Sequence, residues 1–415
     1  MEHVLKTIRP VLLCLAVALP ALVLRLTGTH PAAPVALVGY GAAVVAASFV
    51  LAWAAEAAEV DISGGLATAL LALIAVLPEY AVDLYFAFHA GADPSYTAIA
   101  AANMTGSNRL LLGVGWSVTA AIGLLVASRR AGRTVRELVL DDRRELGFLL
   151  IAAAVAFVMP MTGRIHLVLG IGLLVFFGYY LWRAATSPHE DELDLVGPAA
   201  RIAQLPKRRR RPLTVALFAG AALVILAAAQ PFAESLVASG EVLGVDRFLL
   251  VQWLAPLASE APELIVAVLF ALRGKAPAAL ALLISAKVNQ WTLLVGSLPV
   301  AYLLGGGSAR LPLDGRQVEE VLLTATQTAL GVAVLLSLRF PRWAAGALFA
   351  LFAVQFVIPG EHGRLWLSLL YGALAAVVLI ARRVHLLPTL RAPFRAERDA
   401  GDTDQAGRVP VRAAR

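Results

Sequence analysis

Apolar runs long enough to cross a lipid bilayer recur along almost the whole chain, and nothing else in the sequence limits the fold as strongly. A helix rises about 1.5 Å per residue, so about 20 apolar residues span the hydrocarbon core. Such runs fall near 10–27, 33–55, 62–88, 95–127, 146–160, 164–183, 213–237, 247–271, 277–304, 317–338, 343–358 and 363–381. They predict an all-α polytopic membrane protein with about twelve transmembrane helices. Composition agrees: 60% of the residues are hydrophobic and 15% charged, against about half and about a quarter in soluble domains. The single cysteine, Cys14, rules out an internal disulfide and makes thiolate metal chemistry unattractive.

Charge placement tests this count independently of hydropathy, because Lys and Arg gather on the cytoplasmic side. With twelve crossings and both termini inside, all but eight of the 35 Lys and Arg face the cytoplasm. Arg25, Arg164, Arg247, Arg310, Arg316 and Arg364 lie outside, and Arg109 and Lys287 sit within helices. The basic run Lys207 to Arg211 is therefore read as an orientation signal, and no nucleic-acid partner is expected. The partners expected are membrane lipid and inorganic cations. The apolar stretch after Lys6 and Arg9 resembles a signal peptide but lacks a small-x-small cleavage site, so it is taken as an uncleaved helix.

The divisions expected are an extra helix over 1–30, a first repeat over 31–184, a disordered cytoplasmic linker over 185–212, a second repeat over 213–360, an extra helix over 361–387 and a disordered tail over 388–415. Two segments carry the repeat. Leu73 to Asp83 contains Pro78-Glu79 and Asp83, and is followed by a helix with Asn103-Met-Thr-Gly-Ser-Asn108. Ala255 to Leu264 contains Ser259-Glu260 and Pro262-Glu263, and is followed by a helix with Ser285-Ala-Lys-Val-Asn-Gln290. The Pro-Glu pairs fall on the third and eighth helices. That odd offset turns the copies over in the membrane, giving two inverted five-helix repeats plus a helix at each end, with a binding site where the repeats meet.

Charge in mid-membrane is costly unless it is paired or lines a wet cavity. Glu79 and Asp83, four residues apart, share a helix face, as do Glu260 and Glu263 at a spacing of three. Pro78 and Pro262 are expected to break their helices and free the carbonyls of Ile74 and Ala258. Carboxylates, carbonyls and the neutral oxygens of Asn103, Ser107, Asn108, Ser259 and Asn289 suit a hard cation. Crowding four carboxylates disfavours their ionised forms, which also admits protons. Lys287 and Arg109 are the charge-compensating groups. Asp83 and Glu260 either join the ion site or neutralise Arg109 and Lys287 in structural pairs.

At these residues the chain resembles the sodium/calcium exchanger family of the calcium/cation antiporter superfamily. That family carries Gly-Thr-Ser-x-Pro-Glu and Gly-Asn-x-x-Gly-Ser-Asn in each half. The resemblance implies secondary active antiport by alternating access, moving Ca²⁺ or another cation against Na⁺ or H⁺, with Glu79 and Glu263 as the principal metal ligands. It implies no cofactor beyond the transported cations. Departures from the pattern are clear. The hydroxyl pair before Pro-Glu is Ala75-Val76 in the first half and Ser259-Glu260 in the second, and the second Gly-Ser-Asn is Lys287-Val288-Asn289. Alternatives are a Na⁺/H⁺ or K⁺/H⁺ exchanger, a cation channel and a non-transporting relative. An enzyme is not expected, since neither a nucleophile elbow nor a His-Glu-x-x-His motif occurs.

Overall fold

The structure is a computed structural model that describes residues 2–58, 60–61, 77–140, 142–186, 195, 197–358 and 360–395. In this environment helices are the economical solution, because each satisfies its own backbone hydrogen bonds without water. They are α1 Glu2–Thr27, α2 Ala33–Ala58, α3 Leu77–Ala92, α4 Ala102–Leu110, α5 Ser117–Ala131, α6 Arg144–Ala156 and α7 Leu167–Ala185. The second part of the chain adds α8 Lys207–Leu243, α9 Arg247–Leu272, α10 Ala276–Asn289, α11 Val295–Leu304, α12 Gly315–Leu335, α13 Arg342–Val354 and α14 Gly360–Ala381. Single π-helical segments, Leu111–Trp116 and Gln290–Leu294, join α4 to α5 and α10 to α11.

Among the described residues, 10 helical stretches are long and apolar enough to cross a membrane. They match ten of the twelve apolar runs. The run 343–358 supplies the shorter Arg342–Val354. The run 62–88 is described only from Leu77, so Ile74, Ala75 and Val76 lie outside the described residues.

Local chemistry sets the helix ends. The Asp246 and Asp314 carboxylates accept the backbone N–H groups of Phe248 and Gln317, each at 2.8 Å, and cap α9 and α12. Gly132 and Gly244, at φ of 62° and 64°, end α5 and α8 in the left-handed conformation that glycine tolerates. At the C-terminal end of α12, Arg143 donates to the Leu336 carbonyl at 2.8 Å, and Arg382 of the segment after α14 bonds the Val334 carbonyl. Cations there offset the unsatisfied carbonyls and the negative end of the helix dipole.

Burial runs opposite to that of a soluble domain. Val38, Val168, Leu223 and Trp366 are 68% to 82% exposed, as lipid-facing side chains should be. Asp83, Asn108, Lys287, Glu320 and Thr328 are fully buried. Apolar packing forms two large clusters. One gathers α1, α2, α8 and the first turns of α9, and the other gathers α4 to α7 with α10 to α14.

Four three-residue strands tie the loops together. β1 (Glu137–Val139) pairs antiparallel with β4 (Arg339–Pro341), and β2 (Arg164–His166) pairs antiparallel with β3 (Arg310–Pro312). Leu138 faces Phe340 and Ile165 faces Leu311 at the centre of each pair, all buried. β1 follows α5 and β2 follows α6, whereas β3 follows α11 and β4 follows α12. Each pair therefore joins the loop after the third helix of one expected repeat to the loop after the fourth helix of the other.

Two expectations of disorder are corrected. Part of the linker, Gly197–Ala203, is helical, and Lys207 to Arg211 form the first turns of α8. The acidic stretch His189 to Asp194 lies outside the described residues. Of the tail, residues 388–395 are described and are ordered: Leu386–Arg391 is helical, the Pro393 carbonyl accepts the Tyr179 hydroxyl at 3.0 Å, and Thr389 is fully buried. Composition marks both stretches as polar, but Ala199, Ile202 and Thr389 are buried.

Arg210 forks onto Asp61, with Nε and Nη2 at 2.7 and 2.8 Å from its two oxygens, and Arg211 adds a third contact at 3.1 Å. These guanidinium groups lower the Asp61 carboxyl to about 2. A lowered carboxyl contributes stability above its unfolded value and loses it as pH falls through the folded one. The wild type should thus melt above Asp61→Asn at pH 7 in detergent. The gap should close as pH drops from about 4 towards 2; a pH-independent gap would refute the ion-pair assignment.

Candidate functional site

The acidic residues picked out by the motifs converge from distant parts of the chain. α3 presents Glu79 and Asp83, which are 5% and 0% exposed, and α9 presents buried Glu260 one turn before half-buried Glu263. The Gln290 amide joins them, since its Nε2 donates to Glu260 Oε1 at 2.6 Å and reaches Glu79 Oε1 at 3.4 Å. Glu263 lies in electrostatic range of both Glu79 and Glu260. Ser107 of α4 faces the same two carboxylates, while Asp83 faces the Asn103 side chain and the Met104 amide.

Neutral oxygens surround this centre. Asn108 Nδ2 donates to its own helix at Met104, leaving Oδ1 and the main-chain carbonyl for the Lys287 ammonium, at 3.2 and 2.7 Å. The Ser259 hydroxyl donates back to the Ala255 carbonyl at 3.1 Å, which orients it along α9. Glu260 Oε2, Asn289 Oδ1 and Gln290 Oε1 are buried without a hydrogen-bond partner. Buried oxygens in that state are costly, and together with the carboxylates and the Ser107 hydroxyl they form a donor set suited to a hard cation or to protons. Among the described residues no three His, Cys, Asp or Glu side chains close into a metal cage by themselves. A bound ion would therefore draw on the amide and hydroxyl oxygens as well as on Glu79 and Glu263.

Two expectations change. Pro262 does not break its helix: α9 runs unbroken from Arg247 to Leu272 through Pro256 and Pro262. The proline removes only the donor that the Ala258 carbonyl would have used. Pro78 stands at the beginning of described α3, and its upstream partner Ile74 lies outside the described residues.

Arg109 does not reach the four carboxylates either. Its Nη2 pairs with Glu320 Oε2 at 2.5 Å, its Nη1 donates to Gln355 at 3.0 Å, and its guanidinium lies 5.1 Å from the Trp253 ring centre. Arg364 of α14 completes the triad at 2.7 Å from Glu320. The charge balance differs accordingly: among the described residues Lys287, not Arg109, is the cation in range of Glu260 and Glu79. Glu320 and Gln290 escaped the sequence reading. Glu320 stands at the start of an apolar run, where acids are usually hydrated, and Gln290 is uncharged. Gln290 follows Asn289 as Arg109 follows Asn108, and that parallel was the available signal.

α4 can bring Ser107 and Asn108 this close because Gly106 lies against α9. A Cβ on Gly106 would fall 1.7 Å from the Gln252 carbonyl oxygen, an overlap that only helix separation relieves. Gly106→Ala is expected to cost more than the about 1–3 kcal/mol of ordinary overpacking and to lower transport. An unchanged melting temperature would show that α4 and α9 are not held in contact.

Comparison with known proteins bears on this geometry. The family model described as sodium/calcium exchanger protein matches residues 32–185 and 213–359. The chain belongs to the sodium/calcium exchanger family. It is a polytopic membrane protein of the cation antiporter type, as are the solved structures it resembles. The crystal structure of an H⁺/Ca²⁺ exchanger, CAX, is 40% identical over 94% of this chain and 98% of that chain, with a TM-score of 0.86. The fold is shared with native YfkE, at 17% identity over 87% of this chain and 98% of that one and a TM-score of 0.58. It is also shared with the sodium-calcium exchanger NCX_Mj, at 16% identity over 78% and 98% and a TM-score of 0.51. No protein of curated function matches the sequence. In this exchanger, α1 and α14 flank the matched family region, and Arg364 reaches from α14 into it to hold Glu320.

Proposed function

We propose that the protein is a secondary active antiporter that moves Ca²⁺ or another cation against H⁺ or Na⁺, with Glu79, Glu263 and the oxygens around them as the site at mid-membrane. The observation that carries this reading is the Gln290 amide spanning Glu260 and Glu79, which brings carboxylates of both expected repeats to one buried, oxygen-rich centre. The relative at 40% identity is titled an H⁺/Ca²⁺ exchanger, so that pair of ions is the first to test.

Alternating access suits two inverted repeats packed around a shared site. The exchanged strand pairs, β1 with β4 and β2 with β3, support that symmetry, as do the π-helical segments after Asn108 and Asn289. π-segments frequently mark functional positions in helices. On this reading residues 31–184 and 213–360 are the repeats, both termini face the cytoplasm, and the host membrane is a bacterial cytoplasmic membrane.

Proteoliposomes decide the matter. Ca²⁺, Na⁺ and K⁺ uptake measured with and without an imposed pH gradient should require a counter-ion on the opposite side. Flux that persists with no counter-ion would make the protein a channel. Na⁺ or K⁺ uptake driven by the pH gradient, with no Ca²⁺ uptake, would make it a monovalent cation/H⁺ exchanger.

A further inference from the structure

Lys287 is fully buried in α10. Its ammonium donates to the Asn108 carbonyl at 2.7 Å and to Asn108 Oδ1 at 3.2 Å, across the contact between the two expected repeats. The same ammonium is in electrostatic range of Glu260 and Glu79. Arg109, the other buried cation near this level, is engaged by Glu320. Lys287 is thus the buried positive charge that, among the described residues, lies beside Glu260 and Glu79.

Its position in the repeat is informative. Aligning Asn108 with Asn289 sets Gly106 opposite Lys287. In one repeat this position brings two helix backbones together, and in the other it carries an ammonium into the oxygen cluster. Carbonyl and amide oxygens at these distances are what a bare monovalent cation would seek, and a lysine ammonium is a compact charge with three donors and no acceptor. Burying such a group is favourable only where negative charge compensates it.

We propose that Lys287 is a resident cation of the transport site. It holds one of the positive charges the acidic cluster needs, so each cycle carries one fewer mobile proton or Na⁺ than the same carboxylates would otherwise take. This inference rests on the antiporter reading, and a wild-type protein that exchanges no cation would fail that reading first.

The test compares wild type with Lys287→Met and Lys287→Gln in proteoliposomes. The potential at which Ca²⁺ flux vanishes, against imposed H⁺ and Na⁺ gradients, gives the number of counter-ions per Ca²⁺. Both variants should gain one counter-ion per cycle. Met removes the charge and the hydrogen bonds, whereas Gln keeps a donor for Asn108 without the charge. An active variant with the wild-type ratio overturns the proposal, as does Gln restoring that ratio when Met does not.

Ca²⁺ binding to detergent-solubilised protein covers the case of inactive variants. A nearby charge shifts a charged equilibrium by one to three pK units, so both variants should bind Ca²⁺ at least about tenfold more tightly. Unchanged affinity, or failure of both variants to give the monodisperse protein seen for wild type, would make Lys287 a structural residue and overturn the idea.

Discussion

Glu79→Gln and Glu263→Gln should each reduce cation exchange in proteoliposomes by about 100-fold while leaving the protein folded. Each replacement keeps the shape of the side chain and removes a carboxyl group that can hold the cation or a proton. Losing a charge-assisted contact to a bound cation corresponds to about 3 kcal/mol, and about 1.4 kcal/mol is a factor of ten. Folding should survive because neutralising one carboxylate relieves repulsion among Glu79, Asp83, Glu260 and Glu263. Melting temperatures in detergent should therefore hold or rise as transport falls. Exposed Glu241 at the far end of α8 serves as the control, and Glu241→Gln should transport normally. Exchange by Glu79→Gln within threefold of wild type would remove this residue from the site and undermine the antiporter assignment.

The second large effect concerns stability. Glu320→Ala is expected to destabilise the fold by about 3–5 kcal/mol, because it strands Arg109, 2% exposed, without its carboxylate, and releases Arg364 from α14. The cost arises from the uncompensated charge, so it should vanish when the charge is removed. Arg109→Met combined with Glu320→Leu should recover most of the lost stability, since apolar replacements of buried ion pairs are often neutral. Thermal unfolding of the single and double variants measures the coupling. Additive losses would mean that the two side chains act independently and that the triad is incidental. Because Arg109 directly follows Asn108, the single variant should also weaken transport by loosening the segment that holds Lys287.

Much of the candidate site was legible because a charge in a membrane helix stands out from its neighbours. Glu79, Asp83, Glu260, Glu263 and Lys287 are conspicuous in runs otherwise made of Ala, Leu and Val, and the energetic penalty of placing them there is itself the signal. Neutral polar groups give a weaker contrast unless a repeated motif marks them, as it does Asn103, Ser107 and Asn108. Gln290 bridges Glu260 and Glu79 with only its place after Asn289 as a signal, and Gln252, which donates to Thr105 at 3.2 Å within the α4–α9 contact, has none. Prolines misled in another way. Their chemistry forbids one hydrogen bond, and from sequence that reads as a helix break, but α9 retains its course because its neighbours fix it on both sides of Pro262.

The sequence by itself determined the class of the protein and ten of its apolar membrane-spanning stretches, and it marked the acids that are out of place in lipid. These follow from local quantities: the length of apolar runs, the position of arginines, and the spacing of side chains on a helix face. Tertiary structure decided the partners. Arg109 could have served any of several acids in these helices, and the packing of α12 and α14 assigned it to Glu320, leaving Lys287 near Glu260 and Glu79. The difference is physical: burial cost depends on a residue and its own helix, whereas pairing depends on distances between helices far apart in the chain, 246 residues for Arg109 and Gln355, and no local pattern encodes those.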